Sequence, residues 1–196
     1  MNAFLRTARL VLRPLTPHDL DEVVALDNDP EVMRYLNGGR PADREEVRGR
    51  SLPRLLGRGF WAAERRADGA WLGWFALEPL EAEGWRTVEL GYRLRRAAWG
   101  SGYATEGGRA LVDRGFGALG TERVTAQTMT VNARSRRVLE KCGLRYARTF
   151  FAEWPETIAG GEHGDVEYVL TRAEWEADRA TARAVRAPEP YTPPGR

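Results

Sequence analysis

The most informative segment is Trp99-Gly100-Ser101-Gly102-Tyr103-Ala104-Thr105-Glu106, which lies between a strand-like and a helix-like segment. Gly100 and Gly102 let the backbone turn sharply and approach a ligand without a Cβ in the way. The segment from Thr105 to Phe116 then begins as a helix, whose first N–H groups lack partners within the helix and attract an anion. A strand, a glycine turn and a helix N-terminus in this order predict a phosphorylated cofactor.

The turn alone is also compatible with ordinary turn chemistry. No Gly-Lys-Ser/Thr follows it, so it is not a Walker loop, and it lacks the third glycine of a dinucleotide fingerprint. A nucleotide-binding domain that uses the turn for ATP is therefore a weak alternative, because the lysine and a metal-binding carboxylate pattern are missing.

Size and composition predict one soluble domain. The chain has 196 residues, and 30 basic against 28 acidic side chains leave a net charge of +2, too small to indicate a nucleic-acid partner. Cys142 is the single cysteine, which excludes an intrachain disulfide and is compatible with a reducing compartment. His18 and His163 lie far apart and suggest no metal site. The arginines in the first 15 residues argue against a signal peptide or a membrane span, so we expect a cytoplasmic protein with no membrane partner.

Periodicity predicts an α/β (α+β) domain over residues 7–184, with a mixed, mostly antiparallel sheet of about six to seven strands flanked by helices. One strand–helix–strand crossover carries the glycine turn. The predicted strands are Arg9 to Leu15, Phe60 to Arg65, Ala70 to Leu80, Thr87 to Leu94, Arg123 to Thr130, Leu144 to Phe151 and Asp165 to Thr171. The first predicted helix follows Thr16. The other predicted helices run from Asp29 to Leu36, from Pro41 to Leu56 with a break near Pro53, from Thr105 to Phe116, from Ala133 to Cys142, and from Arg172 to about Ala184. Residues 185–196 are rich in proline, and we expect a disordered tail there.

A second motif begins at Asn132 and continues Ala133-Arg134-Ser135-Arg136-Arg137-Val138-Leu139. At helical spacing Asn132, Ser135 and Leu139 share one face. Asn and Ser at a helix start are also common capping residues, so capping is the alternative interpretation.

The order of strand, glycine turn, helix, strand and Asn-x-x-Ser helix resembles the GNAT superfamily of acetyl-CoA-dependent N-acetyltransferases. Within it, the branch of the ribosomal-protein N-terminal (alanine/serine) acetyltransferases is the most similar. The resemblance covers nearly all of the chain except the tail, although Trp99 stands where the superfamily usually has Gln or Arg. The stretches that carry it are Thr7-Ala8-Arg9-Leu10-Val11-Leu12-Arg13, Glu89-Leu90-Gly91-Tyr92-Arg93-Leu94, Trp99 to Glu106, Asn132-x-x-Ser135, and Glu167 to Trp175.

The resemblance implies a binding mode for acetyl-CoA as cosubstrate, without a metal. The pyrophosphate would lie on the turn, at the backbone amides of Ser101 to Thr105. The backbone of Tyr92, Arg93 and Leu94 would pair with pantetheine like an added strand, and Asn132 would reach the same arm from the other side. The expected cofactor-binding residues are Tyr92, Arg93, Leu94, Trp99, Gly100, Ser101, Gly102, Tyr103, Ala104, Thr105 and Asn132. Arg95, Arg96 and Arg109 either assist the phosphates or are solvated surface residues.

The resemblance also implies two catalytic residues. Glu89 would accept a proton from the amine, since an ammonium has no lone pair; a structural strand carboxylate is the alternative. Leu139 stands where many members carry a tyrosine acid, so Ser135 is the implied donor to the departing thiolate. Glu106 is assigned to the helix dipole, and Cys142 to the core.

The sequence thus predicts an N-acetyltransferase that transfers an acetyl group to a primary amine by direct attack in a ternary complex. The acceptor is either a protein or peptide N-terminus or a small-molecule amine, and a homodimer is a further expectation. The rival hypothesis is a non-catalytic acyl-CoA-binding regulatory module of the same fold, favoured by the missing tyrosine.

Overall fold

A single mixed sheet organises the chain. The computed structural model describes residues 3–36, 39–80, 84–152 and 158–186. The strands are β1 Leu5–Arg6, β2 Leu10–Pro14, β3 Phe60–Arg65, β4 Trp71–Pro79, β5 Thr87–Leu94, β6 Arg123–Met129, β7 Arg145–Phe150 and β8 Asp165–Thr171. They form an eight-stranded sheet in the order β1-β2-β3-β4-β5-β6-β8-β7. The predicted fold class is confirmed, and the strand beyond the predicted seven is β1, whose two residues are too short for a periodic signal.

Helices cover both faces of the sheet. One face carries α1 Leu20–Asp27, α2 Pro30–Met33, α3 Arg44–Glu46 and α4 Leu52–Leu55, and the other carries α5 Tyr103–Arg114, α6 Ala133–Lys141 and α7 Arg172–Arg186. The predicted helix from Pro41 to Leu56 is shorter and contains a π-helical turn, Val47–Ser51, between α3 and α4. The predicted tail lies outside the described residues from position 187 onward. Within the described ranges, every helix is too short or too polar to span a lipid bilayer.

The strands β5 and β6 pair in parallel over a short distance. Their register runs from Thr87–Arg123 through Val88–Val124 to Glu89–Thr125. Beyond this point β5 continues to Leu94 along β4, whereas β6 continues along β8. A gap between the two strands therefore begins next to Glu89.

The two faces of β5 have different environments. Val88, Leu90 and Leu94 are buried in the core beneath α5 and α6, as the predicted alternation requires. Glu89 and Arg93 face the opposite side, where Arg93 pairs with Asp27 of α1. Side chains of the two predicted catalytic residues, Glu89 on β5 and Ser135 on α6, therefore belong to opposite sides of the sheet.

Two glycines bring α5 close to its neighbours. A Cβ on Gly107 would lie 2.4 Å from Cζ of Phe75 in β4, and a Cβ on Gly108 would lie 2.7 Å from Sγ of Cys142. Only hydrogen atoms at these positions permit the observed distance between the helix, the sheet and α6. The N-terminus of α5 is thereby held at the end of β5.

This packing makes Gly107→Ala destabilising. The added methyl overlaps the Phe75 ring, and overpacking of this kind costs about 1–3 kcal/mol of unfolding free energy. Gly117→Ala is the control, since nothing lies within 4 Å of its Cβ position. Urea denaturation of both variants measures the difference, and equal midpoints would contradict the proposed close contact.

Candidate active site

The glycine turn forms an open corner between β5 and α5. Gly100 and Gly102 have φ values of 72° and 81°, in the left-handed region that favours glycine. Gly102 is the residue before α5, so the helix begins at Tyr103, two residues earlier than predicted. Its first intrahelical bond runs from the N–H of Glu106 to the carbonyl of Gly102 at 3.0 Å. The N–H groups of Tyr103 to Thr105 precede that bond and are donors for an anion.

The corner has room for a ligand. Nothing lies within 4 Å of the position that a Cβ on Gly100 would occupy, and Ser101 and Gly102 are exposed. A phosphate group can therefore approach the main chain at Gly100, and at Gly102 it would meet the guanidinium of Arg9, whose Nη2 lies 3.4 Å from the Cβ position. The residues present fit the diphosphate that the sequence predicted.

A network from the N-terminal segment holds this corner. Arg9 donates from Nη1 to the carbonyl of Ser101 at 2.9 Å and from Nε to Oε2 of Glu106 at 2.6 Å. Thr7 donates from Oγ1 to Oε1 of Glu106 at 2.6 Å, and the Arg9 N–H donates to the same oxygen at 2.8 Å. Burial raises the pKa of Glu106, but the bonds from Thr7 and Arg9 outweigh it and hold the pKa below its usual value.

Sequence reasoning missed this network. It gave Glu106 only a helix-dipole role, although the carboxylate also joins α5 to the segment between β1 and β2. Thr7 and Arg9 did appear in the first stretch of the family resemblance. Their separation of 97 or more residues from Glu106 leaves no local pattern that indicates the contact.

Trp99 closes the other side of the corner. Its indole Nε1 donates to the carbonyl of Leu94 at 2.8 Å, at the end of β5. The guanidinium of Arg134 lies 5.7 Å from the centre of the Trp99 ring. Trp99 therefore joins the end of β5 and the start of α6 to the turn.

Ser135 and Tyr92 connect α6 to β5. The Tyr92 hydroxyl and Oγ of Ser135 are 3.1 Å apart, and either atom can donate. Burial raises the pKa of Tyr92 to about 12, and the bond to Ser135 opposes that shift only in part. The prediction for Tyr92 concerned its backbone, so this contact of the side chain is new information.

Asn132 caps α6. Its Oδ1 accepts from the N–H of Ser135 at 3.2 Å, as the capping interpretation of the motif requires. Capping occupies the amide oxygen, and a ligand contact by Asn132 would use the amide nitrogen. Leu139, which stands where many members of the resembled superfamily carry a tyrosine, is buried in the core.

Glu89 stands among carboxylates at the beginning of the gap. Burial raises its pKa, and the negative charge of Glu78 on β4 raises it further. Arg54 of α4 lowers the same pKa but is itself hydrogen-bonded to Glu78 at 2.6 Å, and Glu167 of β8 adds repulsion. The Glu89 carboxylate therefore takes up a proton more readily than the carboxylate of an exposed glutamate does.

The arginines at the end of β5 and just after it pair with carboxylates of α1 and of the segment before α2. Arg93 donates from Nη1 to Oδ1 of the buried Asp27 at 2.5 Å. Arg95 is hydrogen-bonded to Glu22, and Arg96 lies 3.8 Å from Asp29. Arg95 and Arg96 therefore have local carboxylate partners on the side of the sheet that carries α1 to α4.

Two further groups of side chains belong to the core. Cys142 is buried, and this burial raises the pKa of its thiol to about 12. The aromatic side chains of β3 and β4 are the second group: Phe60, Trp61, Trp71 and Phe75 are buried, and Trp74 is partly exposed.

Comparison with known proteins identifies the same architecture. Residues 9–145 match the model of the acetyltransferase (GNAT) domain. The chain is 38% identical over 186 residues to FsC-acetyl coenzyme A-N(2)-transacetylase of Aspergillus fumigatus, covering 87% of this chain and 77% of the relative.

Two solved structures share the fold. The GNAT-family acetyltransferase from Bacillus anthracis superposes with a TM-score of 0.74 at 22% identity, covering 86% of this chain and 98% of that one. The spermidine N-acetyltransferase from Vibrio cholerae, in complex with CoA and spermine, superposes with a TM-score of 0.70 at 17% identity, covering 87% and 99%.

The surroundings of Glu89 lead to a prediction about its titration. Glu78→Gln lowers the pKa of Glu89, because it removes a neighbouring negative charge and releases Arg54 to attract the carboxylate. NMR titration of labelled glutamate carboxyl carbons measures the change, with Glu45→Gln on an exposed helix as the control. A Glu89 pKa that is unmoved by Glu78→Gln, or already at the usual value in the native protein, would refute this account.

Proposed function

The chain belongs to the GNAT acetyltransferase family, and we propose that it transfers an acetyl group from acetyl-CoA to a primary amine by direct attack in a ternary complex. The observation that carries the proposal is the gap between β5 and β6, which begins at Glu89 and ends beside the open corner at Gly100 and Gly102. One site then offers main-chain donors for phosphate, a carboxylate on one face and a hydroxyl pair on the other.

Named residues of the corner and the gap would hold the cofactor. The N–H groups of Ser101 to Thr105 bind the diphosphate, and the backbone from Tyr92 to Leu94 pairs with the pantetheine amides as an added strand would. Trp99 shapes the corner, and the amide nitrogen of Asn132 faces the same arm. Acetyl-CoA, when bound, supplies the thioester whose C–S bond breaks as the new N–C bond forms.

Two residues would act as the proton acceptor and as the hydrogen-bond donor to the leaving group. Glu89 takes a proton from the amine, directly or through water, and its raised pKa brings it closer to the pH at which a general base is effective. On the other face, Ser135 donates a hydrogen bond to the departing sulfur. The Tyr92 hydroxyl, 3.1 Å from Ser135, orients that donor.

A small-molecule amine is the acceptor that we favour. The relative with 38% identity is named for transfer to an N(2) position of FsC, not for a protein substrate. Glu89 on the acceptor face also attracts an ammonium group before its deprotonation, whereas the nearby Glu78 and Glu167 are already paired with Arg54 and Arg148. A protein N-terminus, implied by the resemblance to the ribosomal-protein N-terminal acetyltransferases, is the second acceptor class.

A thiol-release assay with acetyl-CoA tests the activity. The panel should contain diamines, polyamines, amino sugars and peptides with N-terminal Ala or Ser. Release with a small amine supports the proposal, and release with peptides alone assigns the second acceptor class. Tight coenzyme A binding without release on any amine would favour a non-catalytic module instead.

Carboxylates introduced at the corner should weaken cofactor binding strongly. We expect Ala104→Glu and the exposed Ser101→Glu each to weaken coenzyme A binding by about 100-fold, because a negative charge would face the diphosphate. Ala177→Glu on the exposed face of α7 is the control. Calorimetry measures the affinities, and an unchanged value for folded Ser101→Glu would refute the phosphate assignment.

Removal of the base should change the pH dependence of turnover. Wild-type activity is expected to fall as the pH drops through the raised pKa of Glu89, because the protonated carboxyl cannot accept a proton. Glu89→Gln lowers kcat by roughly 100-fold or more and removes this acid limb. Ser135→Ala is the comparison variant, with a modest loss and an intact acid limb. A Glu89→Gln enzyme that keeps the wild-type profile would exclude Glu89 as the base.

A further inference from the structure

A glycine interrupts the row of side chains on the face of β5 that is turned towards α1 to α4. Gly91 lies between Glu89 and Arg93 on this face, because successive side chains of a strand alternate. Its partner across β4 is Ala76, and the partner of Arg93 is Trp74. Gly91 and Ala76 therefore form a shallow strip with only small side chains. Glu89 stands at one end of this Gly91 strip, and Trp74 and Arg93 stand at the other.

Neither the backbone nor the packing explains a glycine at this position. The φ of Gly91 lies outside the left-handed region, and the register between β4 and β5 runs past it without a shift. A Cβ on Gly91 would lie 3.6 Å from Cβ of Ala76 and 3.9 Å from Cζ3 of Trp74, which are ordinary van der Waals distances. A glycine inside a strand weakens that strand and often marks the close approach of a ligand. Gly91 is partly accessible, so the strip has room for one.

Three buried polar atoms at the far end of the strip have no hydrogen-bond partner among the residues that the structure describes: Nε1 of Trp74, Nε of Arg93 and Oδ2 of Asp27. Their side chains adjoin one another. The guanidinium of Arg93 lies 5.3 Å from the centre of the Trp74 ring, and its Nη1 donates to Oδ1 of Asp27. The side chain of Asp27 is 1% exposed and that of Arg93 is 18% exposed, so a ligand reaches this cluster past Arg93.

The chemistry of the three atoms points to an amide group. Two of them are donors and one is an acceptor, and an amide offers an oxygen that accepts and an N–H that donates. The pair of Arg93 with Asp27 is also neutral overall, so the cluster suits an uncharged group. Buried polar groups in proteins are normally satisfied, and a bound amide would satisfy these.

The Gly91 strip starts where the gap between β5 and β6 starts. The registered pairing of the two strands ends at Glu89, and Gly91 is the next residue of β5 on the same face. An amine beside Glu89 can therefore lay the rest of its molecule along the strip. The four-residue step from Glu89 to Arg93 spans about 13 Å of extended strand. An aliphatic chain of about six carbons, together with the reach of the two side chains, covers this distance.

We propose that the Gly91 strip is an acceptor subsite, which selects a primary amine on an extended chain with an amide group at its far end. The inference rests on the proposed function, because it requires the amine beside Glu89. The chain lies on Gly91, and the amide oxygen accepts from Nε1 of Trp74 and Nε of Arg93. The amide N–H donates to Oδ2 of Asp27. A carboxylate in place of the amide has no proton to donate and stands beside the negative charge of Asp27.

Thiol release from acetyl-CoA with three six-carbon amines tests the inference: 6-aminohexanamide, hexylamine and 6-aminohexanoate. We expect kcat/KM of the wild-type protein to be about tenfold or more higher with 6-aminohexanamide than with either of the others, because only the amide forms the full set of hydrogen bonds. Equal values for the amide and hexylamine would refute the subsite, while release with any amine would leave the proposed function intact. Release with no amine at all would overturn both.

Trp74→Phe tests the polar end of the strip. The substitution removes an indole N–H that has no partner within the described part of the chain, and it keeps an aromatic ring. We expect the preference for 6-aminohexanamide over hexylamine to fall about fivefold, with the value for hexylamine unchanged. Trp85→Phe is the matched control, because Trp85 packs against Trp61 on the other face of the sheet, and it should keep the wild-type preference. A wild-type preference in Trp74→Phe would refute the amide assignment.

Gly91→Val tests the strip itself. Valine is favourable in a strand, and its side chain would occupy the space over which the acceptor lies. We expect kcat/KM to fall about tenfold or more with 6-aminohexanamide and with hexylamine, while the affinity for coenzyme A measured by calorimetry stays the same. Gly91→Ala, whose Cβ makes only ordinary contacts, should fold as the wild type does and show a smaller loss in the same direction. Thr87→Val, at the start of β5 on the same face, is the control. Wild-type values for folded Gly91→Val, or for Gly91→Ala if the valine variant does not fold, would refute the subsite.

Discussion

The parallel pairing of β5 with β6 extends over the three registered pairs from Thr87–Arg123 to Glu89–Thr125. Buried backbone N–H and C=O groups require hydrogen-bond partners. Where a strand separates from its neighbour, the N–H and C=O groups on that edge lose their partners and become available to a ligand. Beyond Glu89, β5 keeps its bonds to β4, whereas its registered pairing with β6 has ended, which leaves a gap on that side. An extended ligand with amide groups can occupy that space as a strand would.

The remaining parts of the site depend on how closely α5 approaches this gap. Gly107 and Gly108 allow the contact with Phe75 and Cys142, where any Cβ would overlap. Glu106 then ties the first turn of α5 to Thr7 and Arg9. The helix N-terminus is thus fixed by packing from below and by charge-assisted bonds from the N-terminal segment, which keeps its free N–H groups oriented without a ligand.

The sheet also separates the carboxylates near the gap from the hydroxyl groups near it. Glu78 and Glu89 lie on the face of α1 to α4, where Glu78 is paired with Arg54. The Tyr92–Ser135 pair lies on the opposite face. The gap between β5 and β6 therefore has a carboxylate on one face and a pair of hydroxyl groups on the other.

Features that depend on neighbouring residues can be predicted from the sequence alone. Gly100 and Gly102 adopt the left-handed conformations of the predicted turn, Asn132 caps α6, and the alternation from Thr87 to Leu94 matches β5. The pairs on which the site depends form only in the folded chain: Arg9 with Glu106, Tyr92 with Ser135, and Glu78 beside Glu89. Turns and caps are set by local dihedral preferences and short-range hydrogen bonds, which a sequence pattern records. Contacts between distant segments, and the pKa shifts that burial produces, exist only once the sheet has brought those segments together.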